Sequence, residues 1–445
     1  MIRAGFRPSI KLLKHLGALC VFSLVIPALA IYSDTLELHF LPLVVAAWLA
    51  LVILIDWVRS RREPYLRLHR SMPTNLSVNV EQEVKLSVAN DGNTSYEIEL
   101  SEHIPGYWRA RHQPIAKTLQ PGEVVDTSYL VTPKKRGAAS IQITELRLVS
   151  LLGYWQFNWH YEHLTEVKVY PNFNAITDMA GLNGSVNLEQ AGLKKFNLRG
   201  SGMDFRQLRE YREGESLKQI DWRATSRFNK LISKEFQEEK NQHVIIMLDA
   251  GRRMRVHDDE LSYFDHALNS LILLSHTALK NGDNLSLQSF GSETRWLGQM
   301  KGVQSVGRIL HHFYDLYPEK IASDYLQAAQ DLLQRQPKRA LILLVSCLRD
   351  EDFSDLLSAV RLLQKKHLVA VISIAEPVYQ SVSNKDVDTF EQALMFGSAQ
   401  TLHQSIERNF QKLKKQGVIC LNAPSQELTS NVINTYLSVK KAGLL

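Results

Sequence analysis

His243–Asp249 reads HVIIMLD, an apolar run without alternation that stops on an acid. Such a run suits a strand buried on both faces of a parallel sheet. Downstream the text keeps switching period. Leu261–Lys280 sets Leu268, Leu271 and Ile272 at helical spacing, Leu285–Phe290 is strand-like, and Val303–Leu316 and Tyr325–Arg335 read as helices. Ala340–Val345 and Leu368–Ile374 are further buried strands, with Phe353–Lys366 a helix between them. Val387–Lys415 is a long helical stretch, Val418–Leu421 a short strand and Glu427–Lys441 a closing helix. Alternation of this kind predicts an α/β doubly wound sheet over 241–445. Ligands of such sheets bind outside the carboxyl ends of the strands. That singles out Asp249 and the Ser346-Cys347-Leu348 segment.

Immediately upstream, Gly202–Arg227 reads GMDFRQLREYREGESLKQIDWRATSR, rich in Arg, acids and aromatics and poor in aliphatics. Its charges nearly balance. Asp204, Arg206, Arg209, Asp221, Arg223 and Arg227 interleave with Phe205, Tyr211 and Trp222, around Gly214. Arg pairs carboxylates bidentately and stacks on aromatics, so one reading is an ion-pair lock between modules. The other is a docking surface, since Arg, Tyr and Trp are typical interface anchors. Asp204 and Asp221 form a carboxylate pair on paper, yet no nucleophile, phosphate loop or metal cluster accompanies them. No Walker motif occurs anywhere, so any ATP hydrolysis falls to a partner.

Residues from Tyr65 to about 171 alternate and are cut by turns. Val84–Asn90, Tyr96–Leu100, Thr127–Val131 and Ser140–Val149 are short strands, and Pro121-Gly122 is a turn. The pattern predicts an immunoglobulin-like β-sandwich over 63–175, with Trp108, Trp155 and Trp159 in its packing. Earlier still, Leu16–Ser33 and Leu38–Ile55 are uncharged and each long enough to cross a bilayer. Lys and Arg flank them at Arg3, Arg7, Lys11, Lys14, Arg59, Arg61 and Arg62, and Asp34 and Glu37 lie in the link. The positive-inside rule then makes 1–62 a two-span transmembrane α-hairpin with the soluble bulk in the cytoplasm. Trp57 reads as an interfacial anchor and Trp48 as packed within its span. Ala28-Leu29-Ala30 also fits a cleavage site, which would leave one span.

Net charge is +6, and residues 1–62 carry +4 of it, from seven Lys or Arg against three acids. The soluble part therefore lacks the local basic excess that nucleic acid demands. Cys20, Cys347 and Cys420 have no zinc or disulfide spacing and read as buried thiols.

Together these features resemble the Domain of Unknown Function 58 family of bacterial membrane proteins. The resemblance rests on Gly202, Asp204, Phe205, Leu208, Arg209, Tyr211, Gly214, Ile220, Asp221, Trp222, Ala224, Thr225, Ser226 and Arg227, with Lys234-Glu235-Phe236 following. Glu215 stands where the family usually has Asp. Lys135-Arg136-Gly137 and Leu151-Leu152-Gly153 match weaker family features. The resemblance implies a signature linker over 176–240 and a von Willebrand factor A-like domain over 241–445. It also implies a MoxR-type AAA+ ATPase partner, with a client protein, at the inner membrane, and a non-enzymatic scaffold in a chaperone-like or envelope-related assembly.

Domains of the von Willebrand type hold a divalent ion through Asp-x-Ser-x-Ser, a later Thr and an Asp after a middle strand. Here Gly251 and Arg253 replace the two hydroxyls after Asp249, and Cys347 replaces the second Asp. A cation and a thiol both disfavour a hard ion, so the expectation is no metal and no cofactor. Arg252 or Arg253 is expected to pair with Asp249 instead. The competing expectation is a metal-dependent envelope hydrolase using Asp204, Asp221 and Asp249.

Overall fold

The computed structural model describes residues 2–33, 40–171, 204–212, 217–237, 241–258, 261–376 and 389–444. Gly202, Gly214, Glu215, Asp34 and Glu37 of the sequence reading lie outside these. The chain divides into two compact units, Met1–Tyr170 and Pro171–Leu445.

The first unit is a β-sandwich with two helices. Its strands are β1 (Ile2–Pro8), β2 (Leu66–Ser71), β3 (Asn75–Ser77), β4 (Gln82–Asn90), β5 (Tyr96–Glu102), β6 (Trp108–Arg111), β7 (Ile115–Leu119), β8 (Val124–Pro133), β9 (Gly137–Val149) and β10 (Trp155–Tyr170). One sheet runs β1-β10-β9-β5-β7, with β3 also paired to β10, and the other runs β2-β4-β8-β6. Alternation along β4 and β9 sends Val84, Leu86, Val88, Ile141, Leu146 and Leu148 into one core with Trp108, Phe157 and Trp159. A buried ion pair crosses that core. Arg70 of β2 meets Glu102 of β5 at 2.8 Å, and the Tyr129 and Thr144 hydroxyls donate to the same carboxylate at 3.0 and 2.6 Å. Burial and the Glu102 charge push the Tyr129 phenol far up.

Residues 2–8 differ from the expectation of a bare membrane flank. They form a strand that pairs antiparallel with β10, with an irregularity in register between Arg3 and Gly5. Helices α1 (Ile10–Ser33) and α2 (Leu41–Ser60) follow. Among the described residues, α2 is long and apolar enough to cross a membrane. Trp48 is exposed on it, whereas Trp57 packs against the sandwich core with the Arg61 guanidinium over its ring at 5.2 Å.

Both helices grip one turn. Asp56 of α2 is buried and accepts from the Ser150 hydroxyl at 2.6 Å and the Leu152 and Tyr154 amides at 3.0 and 3.3 Å. From the start of α1, Ser9 N–H donates to the Tyr154 carbonyl at 2.9 Å, and Lys11 Nζ donates to the Leu152 carbonyl at 2.8 Å. The β9–β10 turn is thus clamped to the bases of both helices.

The first element described in the second unit is a hairpin, β11 (Asp204–Glu210) and β12 (Ile232–Gln237), enclosing helix α3 (Trp222–Phe228). Then come β13 (His243–Asp249), the short pair β14 (His257–Asp258) and β15 (Leu261–Ser262), α4 (Tyr263–Lys280), β16 (Asn284–Phe290), β17 (Trp296–Met300), α5 (Val306–Phe313) and α6 (Tyr325–Arg335). The unit ends with β18 (Leu341–Ser346), α7 (Phe353–Gln364), β19 (Leu368–Ala375), α8 (Phe390–Lys415), β20 (Ile419–Pro424) and α9 (Leu428–Lys441). The sheet order is β17-β16-β13-β18-β19-β20, parallel except for β17 at the edge. Counted from β13 this is the 3-2-1-4-5-6 order of doubly wound folds, with its switch point between β13 and β18. Apolar clusters fill both faces, which is why β13 and β18 carry no polar alternation.

Asp56→Ala should strip the Ser150 hydroxyl and two amides of their acceptor, at about 1–3 kcal/mol for each group left unsatisfied. The measurable outcome is a lower thermal midpoint in detergent and faster proteolytic nicking at the β9–β10 turn. Asp56→Asn, which keeps an acceptor oxygen, should lose less.

Candidate functional site

The end of β13 meets the end of β18 at the switch point, and Asp249 sits there fully buried. Four donors of its own chain surround the carboxylate. Gly251 N–H reaches Oδ1 at 2.8 Å and the Ser323 hydroxyl reaches it at 2.5 Å. The Ser346 hydroxyl reaches Oδ2 at 2.5 Å, and the Tyr325 hydroxyl reaches it at 3.3 Å. Burial pushes the Asp249 carboxyl up, and these four bonds oppose the shift. Burial, and then the Asp249 charge, raise Tyr325 as well.

The loop after β13 is laced shut. Ala250 N–H donates to the Phe290 carbonyl, Arg252 N–H to the Ile321 carbonyl and Glu319 N–H to the Ala250 carbonyl, at 2.7–3.0 Å. Gly251 has no room for a side chain: a Cβ there would run into the Ser323 hydroxyl. Gly291 has φ +86°, and a Cβ on it would meet Ser323 Oγ at 2.6 Å and Asp249 Oδ1 at 2.9 Å. The space beside Gly251 and Gly291 is thus filled by Ser323, from the segment before α6.

Arg253 does not pair with Asp249, contrary to the sequence expectation. Its guanidinium turns to the loop after β18, bonding Asp352 Oδ2 at 2.9 Å and also Glu351. Arg252 lies 3.8 Å from Glu351. The reason is desolvation: three hydroxyls and an amide satisfy Asp249 without burying a guanidinium beside it. Asp350 accepts from Asn409 of α8 at 2.7 Å and so ties down that helix. Cys347 is buried, its Sγ 3.8 Å from Glu376 Oε1, and burial pushes its thiol up to about 12. Among the described residues, no group of three or more His, Cys, Asp or Glu could hold a metal. Ser323 and Tyr325 escaped the sequence reading. The signal was a hydroxyl just before a predicted helix.

The signature residues form a separate structure. Asp221 is the N-cap of α3, accepting from the Arg223 and Ala224 amides at 3.0 Å each, and its Oδ2 lies 3.3 Å from Lys234 Nζ. The Ala224 amide, above all, holds its carboxyl below the usual range, with Lys234 adding to the effect. Thr225 accepts from the Ile232 amide at 3.0 Å, fixing α3 against β12. Tyr211 N–H bonds the Leu231 carbonyl at 2.8 Å, and Arg209 lies opposite Ser233 in the hairpin. Asp204 and Arg206 fall on β11 by their backbone. Trp222, Arg223, Arg227 and Phe228 face solvent, Trp222 at 67% exposure. The hairpin therefore brings Arg209, Tyr211, Asp221, Trp222, Arg223 and Arg227 onto one small module, and Asp249, Gly251, Arg253 and Cys347 belong to the sheet edge.

What the fold and site define is a protein with a β-sandwich and a doubly wound α/β unit whose switch point is filled by its own side chains. Residues 207–415 match the family described as "Protein of unknown function DUF58". A stretch of 105 residues is 26% identical to "Uncharacterized protein YeaD" of Bacillus subtilis (strain 168), covering 24% of each chain. The match thus spans about a quarter of that relative's length. Two solved structures are also similar. An aerotolerance-related membrane protein from Bacteroides fragilis is 15% identical, over 44% of this chain and 99% of that one, with TM-score 0.29. A FixG-related protein from Vibrio parahaemolyticus is 12% identical, over 24% and 98%, with TM-score 0.19.

Two outcomes follow for Asp249. Titration of the full chain in detergent with Mg²⁺ or Mn²⁺ should give no heat beyond dilution. An acid whose folded pKa is raised stabilises most below its unfolded value, 3.8, and loses that contribution as pH rises through the folded pKa. The midpoint of Asp249→Asn relative to the natural protein should therefore climb as the pH is raised above 3.8.

Proposed function

We propose that this chain is a non-enzymatic, membrane-anchored scaffold whose second unit engages other proteins. The observation that carries the reading is the use made of Asp249. Among the described residues, its four hydrogen-bond partners are donors of its own fold, and the loops above it are bolted together by Arg253. A catalytic or metal-holding carboxylate needs an open position for substrate or ion. Asp221, a second of the three acids of the hydrolase reading, is committed to capping α3 and pairing with Lys234.

The sheet order with its antiparallel edge strand supports a von Willebrand factor A-like domain. The resemblance of the signature supports a MoxR-type AAA+ ATPase as partner, which would supply the Walker motif that does not occur in this sequence, and a client protein beyond it. Trp222, Arg223 and Arg227, exposed on a rigidly capped helix, are the anchors for that partner. The apolar α2, the uncharged course of α1 after Lys14 and the basic flanks support two spans in the inner membrane with both units in the cytoplasm.

Affinity purification of the detergent-extracted full chain should recover an AAA+ ATPase. The combined change Trp222→Ala, Arg223→Glu and Arg227→Glu should lower recovery by at least about tenfold, as expected from losing more than 1.4 kcal/mol of anchor energy. Its thermal midpoint should stay unchanged. Recovery of no such ATPase where one is expressed, or full recovery by the triple variant, contradicts the proposal.

A further inference from the structure

A cavity of about 680 Å³ opens where α2 ends against the sandwich. Arg59 and Arg62 are among the residues that line it, both exposed. Val58 and Leu151 line the same cavity, and both are exposed large hydrophobics. Glu63 and Asp91 also line it, but Asp91 is held in an ion pair by Arg67. The volume falls in the range of small-molecule sites.

The clamp described above places this cavity. Asp56 and Trp155, whose indole N–H donates to the Ile53 carbonyl at 3.3 Å, fix the last two turns of α2 to the β9–β10 turn. Leu151 and Leu152 at the tip of that turn are 53% and 44% exposed. On the reading of α2 as a span, its charged end and this tip lie at the bilayer's polar boundary. A cavity there, lined both by apolar side chains and by two guanidinium groups, has the polarity of a lipid with an anionic head. Guanidinium bonds phosphate oxygens bidentately, and basic pockets beside membrane helices favour anionic headgroups.

We infer that the cavity between the end of α2 and the β9–β10 turn binds one anionic phospholipid from the cytoplasmic leaflet. Arg59 and Arg62 hold its phosphate, and Val58 and Leu151 receive the start of its acyl chains. The lipid would stabilise the seat of the sandwich on the membrane. The inference rests on the membrane reading of α2, which sedimentation of the full chain with membranes checks separately.

The test uses the full chain in a mild neutral detergent, with its thermal midpoint read at the sandwich. Dioctanoyl-phosphatidylglycerol should raise the midpoint by ~2–4 °C at saturation. Dioctanoyl-phosphatidylcholine and inorganic phosphate at the same concentration should not. Arg59→Gln with Arg62→Gln should abolish the shift. Arg61→Gln, on the residue that stacks over Trp57, should keep it. An equal shift with phosphatidylcholine or phosphate overturns the inference, as does a shift that survives the double change. Loss of the shift in Arg61→Gln as well would mean diffuse attraction of a basic end and would also overturn it. Each of these outcomes in a protein that still sediments with membranes leaves the membrane reading intact.

Discussion

A fully buried carboxylate at the point where strand order reverses must be compensated, because desolvating it is expensive. Asp249 meets that demand with an amide two residues on and hydroxyls from two other segments. The arrangement dictates its surroundings. Ser323 has to precede α6 at that height, Gly251 and Gly291 have to lack side chains, and Ser346 has to end β18. Above it, Arg253 joins the first loop to the acidic start of α7. The place where an α/β sheet usually receives a ligand has become an internal joint.

Two other acids show the same economy. Asp221 caps the seven-residue helix α3, which is too short to stand without its cap and its Thr225 bond to β12. Asp56 seats the first unit's sandwich on α2. In each case the carboxylate accepts backbone amides or hydroxyls and fixes one element against another. Trp222, beside the Asp221 cap, is left 67% exposed.

Much of the α/β unit is legible in the text because both faces of its strands are buried. Val244–Leu248 and Leu341–Val345 have no polar residue to confuse the period. The edge strand β17 was not anticipated, since Trp296–Met300 is short, half-covered and contains Gly298. β1 was hidden by its arginines, which read equally well as membrane flanks. Of the site at the ends of β13 and β18, the residue types at Gly251, Arg253 and Cys347 could be read locally. The replacement could not: Ser323 is 74 residues from Asp249, and Glu351 is 98 from Arg253. Likewise the acid that clamps the β9–β10 turn lies 94 residues before Ser150, inside a stretch whose composition speaks only of membrane.

The central claim is that the switch point is closed by the chain's own hydroxyls. Crystals of the second unit soaked in Mn²⁺ and measured for anomalous scattering address it directly. The account predicts no anomalous peak within coordinating distance of the Asp249 oxygens, with Ser323 and Ser346 still bonded to them. A Mn²⁺ peak bound to Asp249, with either serine turned away to make room, would contradict it.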